Sequence, residues 1–194
     1  MKATSRFLMA ILVGILAFPF VAQATTKSWT NTSLTSLAHG TDYLWKVDQG
    51  GWFIPEGETI VSAYLDITAL NNWREPDPDY MNIYLLNNPY YGWPTKTLLD
   101  TFRDENWYRS NGTYINPAEN YHYDLTLEQI ALLTDYLNDA RFGIGFDPNC
   151  HYSDTDMIFT IVTDKVPTVP EPATLLLMGL GLLSIAGLKV RIKS

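Results

Sequence analysis

Between residues 25 and 165 apolar side chains recur at every second position, in short runs cut by Gly, Pro, Asn and Asp. A period of two puts alternate residues on opposite faces of an extended strand, so this stretch is confined to antiparallel β-structure. The longest run, Thr59 to Leu70, sets Val61, Ala63, Leu65, Ile67 and Ala69 on one face and Ser62, Tyr64, Asp66 and Thr68 on the other. Further strands are expected over 42–48, 81–86, 97–103, 121–126, 141–147 and 157–163. Phe142, Ile144 and Phe146 alternate with Gly143 and Gly145, which predicts a buried apolar face and glycines that admit a neighbouring element closely.

One segment departs from this period. Thr126 and Gln129 satisfy a capping-box pattern, and Ile130, Leu133 and Leu137 follow at helical spacing, predicting a short helix from about Leu127 to Asn138 between two strands. No internal repeat is present, and no alternation of strands with long helices that would build a parallel sheet. The fold class expected is all-β, an antiparallel two-sheet β-sandwich of jelly-roll kind with one short helix.

Two flanking segments stand outside this domain. Residues 1–24 join Lys2 and Arg6 to the apolar run Phe7 to Phe20 and end in a small-x-small pattern at Ala22 and Ala24. That is a signal peptide by composition, with signal peptidase cleaving after Ala24 to leave Thr25 first. Residues 166–172 form a proline-punctuated linker, 173–188 a mostly apolar run, and 189–194 a basic tail with Lys189, Arg191 and Lys193. Sixteen helical residues span about 24 Å, short of a bilayer core of about 30 Å, and lysine and arginine stems can supply the difference by snorkelling. The run therefore reads as a transmembrane helix with a cytoplasmic tail, the domain outside.

Residues 25–172 hold 8 lysines and arginines against 21 aspartates and glutamates, a net of −13 compared with −8 for the whole chain. So acidic a domain is repelled by phosphate backbones, which argues against a nucleic-acid partner. Cys150 is the single cysteine, so no intrachain disulfide is available and stability must come from the core; a buried, inert thiol is expected.

Pro170, Glu171 and Pro172, followed by the apolar run and the basic tail, resemble the PEP-CTERM sorting signal. The resemblance implies an exported substrate of an exosortase-type membrane transpeptidase, placed in the envelope or extracellular matrix of a Gram-negative bacterium that makes exopolysaccharide. A long strand after residues 55–57 and a closing hairpin expected around 145–152 resemble galactose-binding-like jelly rolls, which implies the same sandwich.

Three kinds of site are candidates. Tyr90, Tyr91 and Trp93, in a loop rich in proline and asparagine, and Trp107 and Tyr108, in a second cluster, offer faces on which pyranose rings stack. The plainer reading is that the same aromatics fold back as lids over the open ends of the core. Asp77, Asp79, Asp147, Asp154 and Asp156 supply the hard oxygens that a structural calcium takes, although Tyr152 and Ile158 stand where an EF-hand needs glycine and glutamate. Turn chemistry explains them as well. His39, His122, His151 and Cys150 lack zinc-ligand spacing, and no catalytic motif is present, so no cofactor and no enzymatic activity are expected. The leading expectation is a non-enzymatic surface protein associated with exopolysaccharide; a purely structural or protein-binding matrix component, and a glycan-active hydrolase, are the alternatives.

Overall fold

The computed structural model describes residues 24–48, 51–72, 79–89, 95–104, 108–111, 113–138, 141–166, 177 and 179–181. Among these described residues twelve strands run in chain order: β1 (Thr25–Asn31), β2 (Ser36–Leu37), β3 (Tyr43–Trp45), β4 (Glu58–Asn72), β5 (Tyr80–Asn87), β6 (Thr95–Arg103), β7 (Tyr108–Ser110), β8 (Thr113–Ile115), β9 (Glu119–Asp124), β10 (Phe142–Pro148), β11 (Tyr152–Ser153) and β12 (Asp156–Lys165). One helix, α1 (Leu127–Leu137), separates β9 from β10.

Eight of these strands pair as mirror images in sequence: β1 with β12, β3 with β10, β4 with β9, and β5 with β6, all antiparallel. Pairing of β12 with β4 and of β10 with β5 then joins them into two sheets, β1-β12-β4-β9 and β3-β10-β5-β6. This is one long hairpin rolled into two layers, the jelly roll that the turn spacing suggested. Short strands β11 and β2 extend the first sheet beside β4, and β7 and β8 form a separate hairpin.

Core positions follow the alternation on the inner strands. Phe142, Ile144 and Phe146 on β10, and Met157, Phe159 and Ile161 on β12, are fully buried. Gly143 is needed for the reason expected: a Cβ there would lie 2.6 Å from the Trp45 carbonyl oxygen and 3.1 Å from Pro89. Edge strand β3 thus lies against β10 more closely than any side chain permits.

Three expectations are corrected. On β4 only Ala63, Leu65 and Ile67 keep the inward face, because bulges bracket them. Ser62 pairs with Val162 and Ile60 with Thr163, leaving Val61 as the extra residue, 51% exposed. At the other end Ala69 takes φ 53°, its N–H donates to Asn120 Oδ1, and Leu70 and Asn72 turn inward in its place. The closing hairpin is likewise absent: β10 and β12 lie in different sheets, and residues 149–155 cross between them through β11. The strand expected over 42–48 contracts to β3, although Trp45 and Val47 bury on the predicted face.

The helix obeys its sequence. Thr126 Oγ1 accepts the Gln129 N–H, and Gln129 Oε1 accepts the Thr126 N–H, closing the capping box. Because Thr126 is the cap, β9 ends at Asp124, before the predicted Thr126. Leu133, Tyr136 and Leu137 join the core.

Candidate functional site

The two sheets meet along two seams. At the β9–β6 seam Tyr121 Oη donates to Asp100 Oδ2 at 2.7 Å, and Tyr123 Oη to the Leu99 carbonyl at 2.6 Å. Gln129 Nε2, from the first turn of α1, donates to the same carbonyl at 3.1 Å. The seam is tied by polar bridges. Burial, with Asp100 adding to it, pushes the Tyr121 phenol well above its ordinary value.

The β1–β3 seam is open. Along β1, Ser28 and Thr30 are exposed, so Lys27, Trp29 and Asn31 take the face toward the opposite sheet. β3 ends before it covers them, and a groove of about 790 Å³ remains, lined by Lys27, Trp29, Asn31, Lys46, Asp48 and Trp52 among others. Trp29 is set in place from behind by Phe142, edge to face at 5.5 Å, and meets Trp52 at 5.6 Å and 83°. Lys27 Nζ lies 5.4 Å from the centre of the Trp29 ring, a cation–π distance. Asp48, 2% exposed, accepts the Trp52 N–H at 3.1 Å, while its own N–H donates to the Phe142 carbonyl. The loop that carries Trp52 is therefore fixed to β10.

This arrangement offers flat aromatic surface, half-buried and rigidly backed, beside the amide and hydroxyl groups of Asn31, Thr32 and Ser33. Such a mixture suits a ligand with apolar faces and hydroxyl edges. Among the described lining residues Asp48 is the single carboxylate, whereas glycoside hydrolysis places two across the scissile bond.

The aromatics singled out from sequence are placed differently. Tyr90, Tyr91, Trp93 and Trp107 lie outside the described residues, while Tyr108 is 52% exposed on β7. Pro89, the last described residue before the first aromatic loop, packs on Gly143 beside Trp45 and so stands at the groove's end of the sandwich. No sequence motif marks Lys27, Trp29 or Trp52 as a site; the available signal is a lysine and a tryptophan sharing the inward face of an otherwise polar strand.

The acidic candidates are distributed as follows among the described residues. Asp77 lies outside the described residues. Asp79 accepts from Asn72 Nδ2, and Asp147 sits on β10 opposite Asn82. Asp154 and Asp156 lie together at the β11–β12 turn, where burial first and Asp156 second raise the Asp154 carboxyl to about 6; neither Asp154 oxygen has a hydrogen-bond partner. Among the described residues no group of three or more His, Cys, Asp or Glu side chains is arranged to hold a metal ion. The fold does stack His39 on His151, centres 6.4 Å apart, a pairing that sequence spacing did not disclose. Cys150 is buried, as expected; desolvation raises its thiol, which donates to Asn72 Oδ1.

The signal peptide, the linker with Pro170, Glu171 and Pro172, most of the apolar run and the basic tail lie outside the described residues, except that Leu177 and 179–181 are helical. Among the described residues no helix is long and apolar enough to cross a membrane.

No curated protein matches this chain. Among solved structures it is similar to a carbohydrate-binding module from a glycoside hydrolase family 9 protein (Cel9A) of Ruminococcus flavefaciens FD-1. That likeness has 12% identity and a TM-score of 0.37, covering 69% of this chain and 97% of that one. It is similar too to the capsid of Ralstonia phage GP4 (12% identity, TM-score 0.34, covering 78% and 90%). Tobacco streak virus coat protein is a third (10% identity, TM-score 0.32, covering 80% and 94%). Residues 168–191 match the PEP-CTERM protein-sorting motif, which implies an exported, sorted surface protein with an exosortase as its processing partner.

Proposed function

We propose that the sandwich is a non-catalytic binding domain, freed of its signal peptide after Ala24, sorted through Pro170, Glu171 and Pro172, and held on extracellular polysaccharide by the β1–β3 groove. The carrying observation is Trp29 and Trp52, half-buried at 5.6 Å in a groove that also presents Asn31 and two hydroxyl residues. Pyranose C–H faces lie against indole while sugar hydroxyls exchange hydrogen bonds with the amide and hydroxyl rim. That β1 begins at Thr25 supports the cleavage position, since cutting before that residue leaves the strand whole. The apolar run at 173–188 then serves as an anchor, retained or exchanged during sorting.

Electrophoresis of the full chain, solubilised in detergent, through gels containing native exopolysaccharide tests the reading. The wild-type band should be retarded, and Trp52→Ala should run as it does in a plain gel. A Trp52→Ala band retarded as strongly as wild type would place binding elsewhere and return the loop aromatics, or a purely structural role, to the front.

A further inference from the structure

We infer that the polysaccharide taken by this groove is anionic, its acid group held at Lys27. This rests on the reading of the groove as a glycan site and goes on to name the ligand's class.

The argument is one of charge distribution. Residues 25–172 hold only 8 cationic side chains against 21 acidic ones, yet two of the eight, Lys27 and Lys46, line the same groove. Its one described carboxylate, Asp48, is 2% exposed and is already engaged by the Trp52 N–H. The groove thus gathers two of the domain's few cations, with one largely buried carboxylate beside them. An anionic chain is repelled by the rest of the domain and finds its least unfavourable potential there. A neutral glycan would need neither lysine.

Lys27 is the better placed of the two. It takes an inward-facing position on an edge strand, its ammonium 5.4 Å from the Trp29 ring, and no carboxylate pairs with it among the described residues. A sugar stacked on the indole therefore brings a ring substituent within reach of that ammonium. Lysine is a compact point charge without arginine's planar fork, so carboxylate and sulfate are both acceptable to it. The shared chemistry is an acid group on a pyranose ring. Inward-pointing lysines also protect sheet edges from pairing with other chains. That purpose alone would leave binding indifferent to ligand charge.

The same detergent-solubilised full chain should be run against three probes of related backbone: a neutral galactan, a polygalacturonate and a sulfated galactan. Both acidic probes are expected to bind about tenfold more tightly than the neutral one, the increment of one charge-assisted hydrogen bond. The gap should close in 1 M salt, where the screening length falls to about 3 Å. Lys27→Gln should abolish the gap without changing the melting temperature, and Lys27→Arg should restore it. Preference for one acidic probe alone would identify the acid group. Equal binding of all three probes, or a gap that survives Lys27→Gln, overturns the charge inference but leaves the groove a glycan site. Binding of none of them overturns both.

Discussion

The two seams of the sandwich solve the same problem in opposite ways. At β9–β6, Tyr121, Tyr123 and Gln129 reach across and a helix begins beside them, so the edges are held by hydrogen bonds from one sheet to the other. At β1–β3 no such bridge occurs among the described residues, and the edges part around Trp29 and Trp52. A buried polar bridge stabilises only when every partner is satisfied, and it leaves no room for a ligand. An aromatic groove backed by core residues gives up part of that stabilisation and keeps surface for binding. One seam holds the fold; the other is free to hold something else.

Substitutions should separate the two, the largest losses falling on the closed side. Leu133→Ala, removing a fully buried helix residue, is expected to cost about 2–5 kcal/mol in denaturant unfolding, with no specific loss of ligand. Tyr121→Phe, which abandons the hydrogen bond to Asp100, should cost about 1–3 kcal/mol. It should also alter the pH response. The Tyr121 pKa is raised in the folded state, so the unfolded chain loses this proton first, and the stability it confers is intact below about pH 10 and declines above it. The alkaline fall in melting temperature should be shallower in Tyr121→Phe, and an unchanged slope would mean that the seam is not bridged as described. Thr126→Ala, removing the helix cap, should cost about 1 kcal/mol. On the open side Lys27→Gln is expected to shift stability by less than about 0.5 kcal/mol, as befits a surface change away from caps and core.

The closed side was far more legible in sequence than the open one, for physical reasons. The capping box and the 3,4-spaced Ile130, Leu133 and Leu137 are local signals, readable within a dozen residues, and α1 falls where they place it. Strands β10 and β12 declare themselves because both flanks are covered and their alternation is unbroken. β4 misled at both ends, since a bulge is decided by the partner strand: nothing in Val61 or Ala69 announces that Ser62 and Leu70 will claim the register. β1 has one aromatic and six polar or charged residues, so it carries no core periodicity. The β7–β8 hairpin has a local marker in Asn111-Gly112, with Asn111 at φ 50°. The groove itself was out of reach, because its described walls come from residues 27–34, 44–48 and 51–52 and only the rolled hairpin sets one against the other.

The claim that one seam binds while the other holds is tested most directly by two readouts on two variants. Retention on exopolysaccharide and melting temperature should be measured for Trp52→Ala and Tyr121→Phe side by side. Trp52→Ala is expected to lose retention by about tenfold or more, the value of one stacked ring, with a melting temperature near wild type. Tyr121→Phe is expected to keep its retention and melt a few degrees lower, about 2–4 °C per kcal/mol lost in a chain of this size. If Trp52→Ala instead unfolds early while its folded fraction still binds, the open seam is merely core and the division of labour is contradicted.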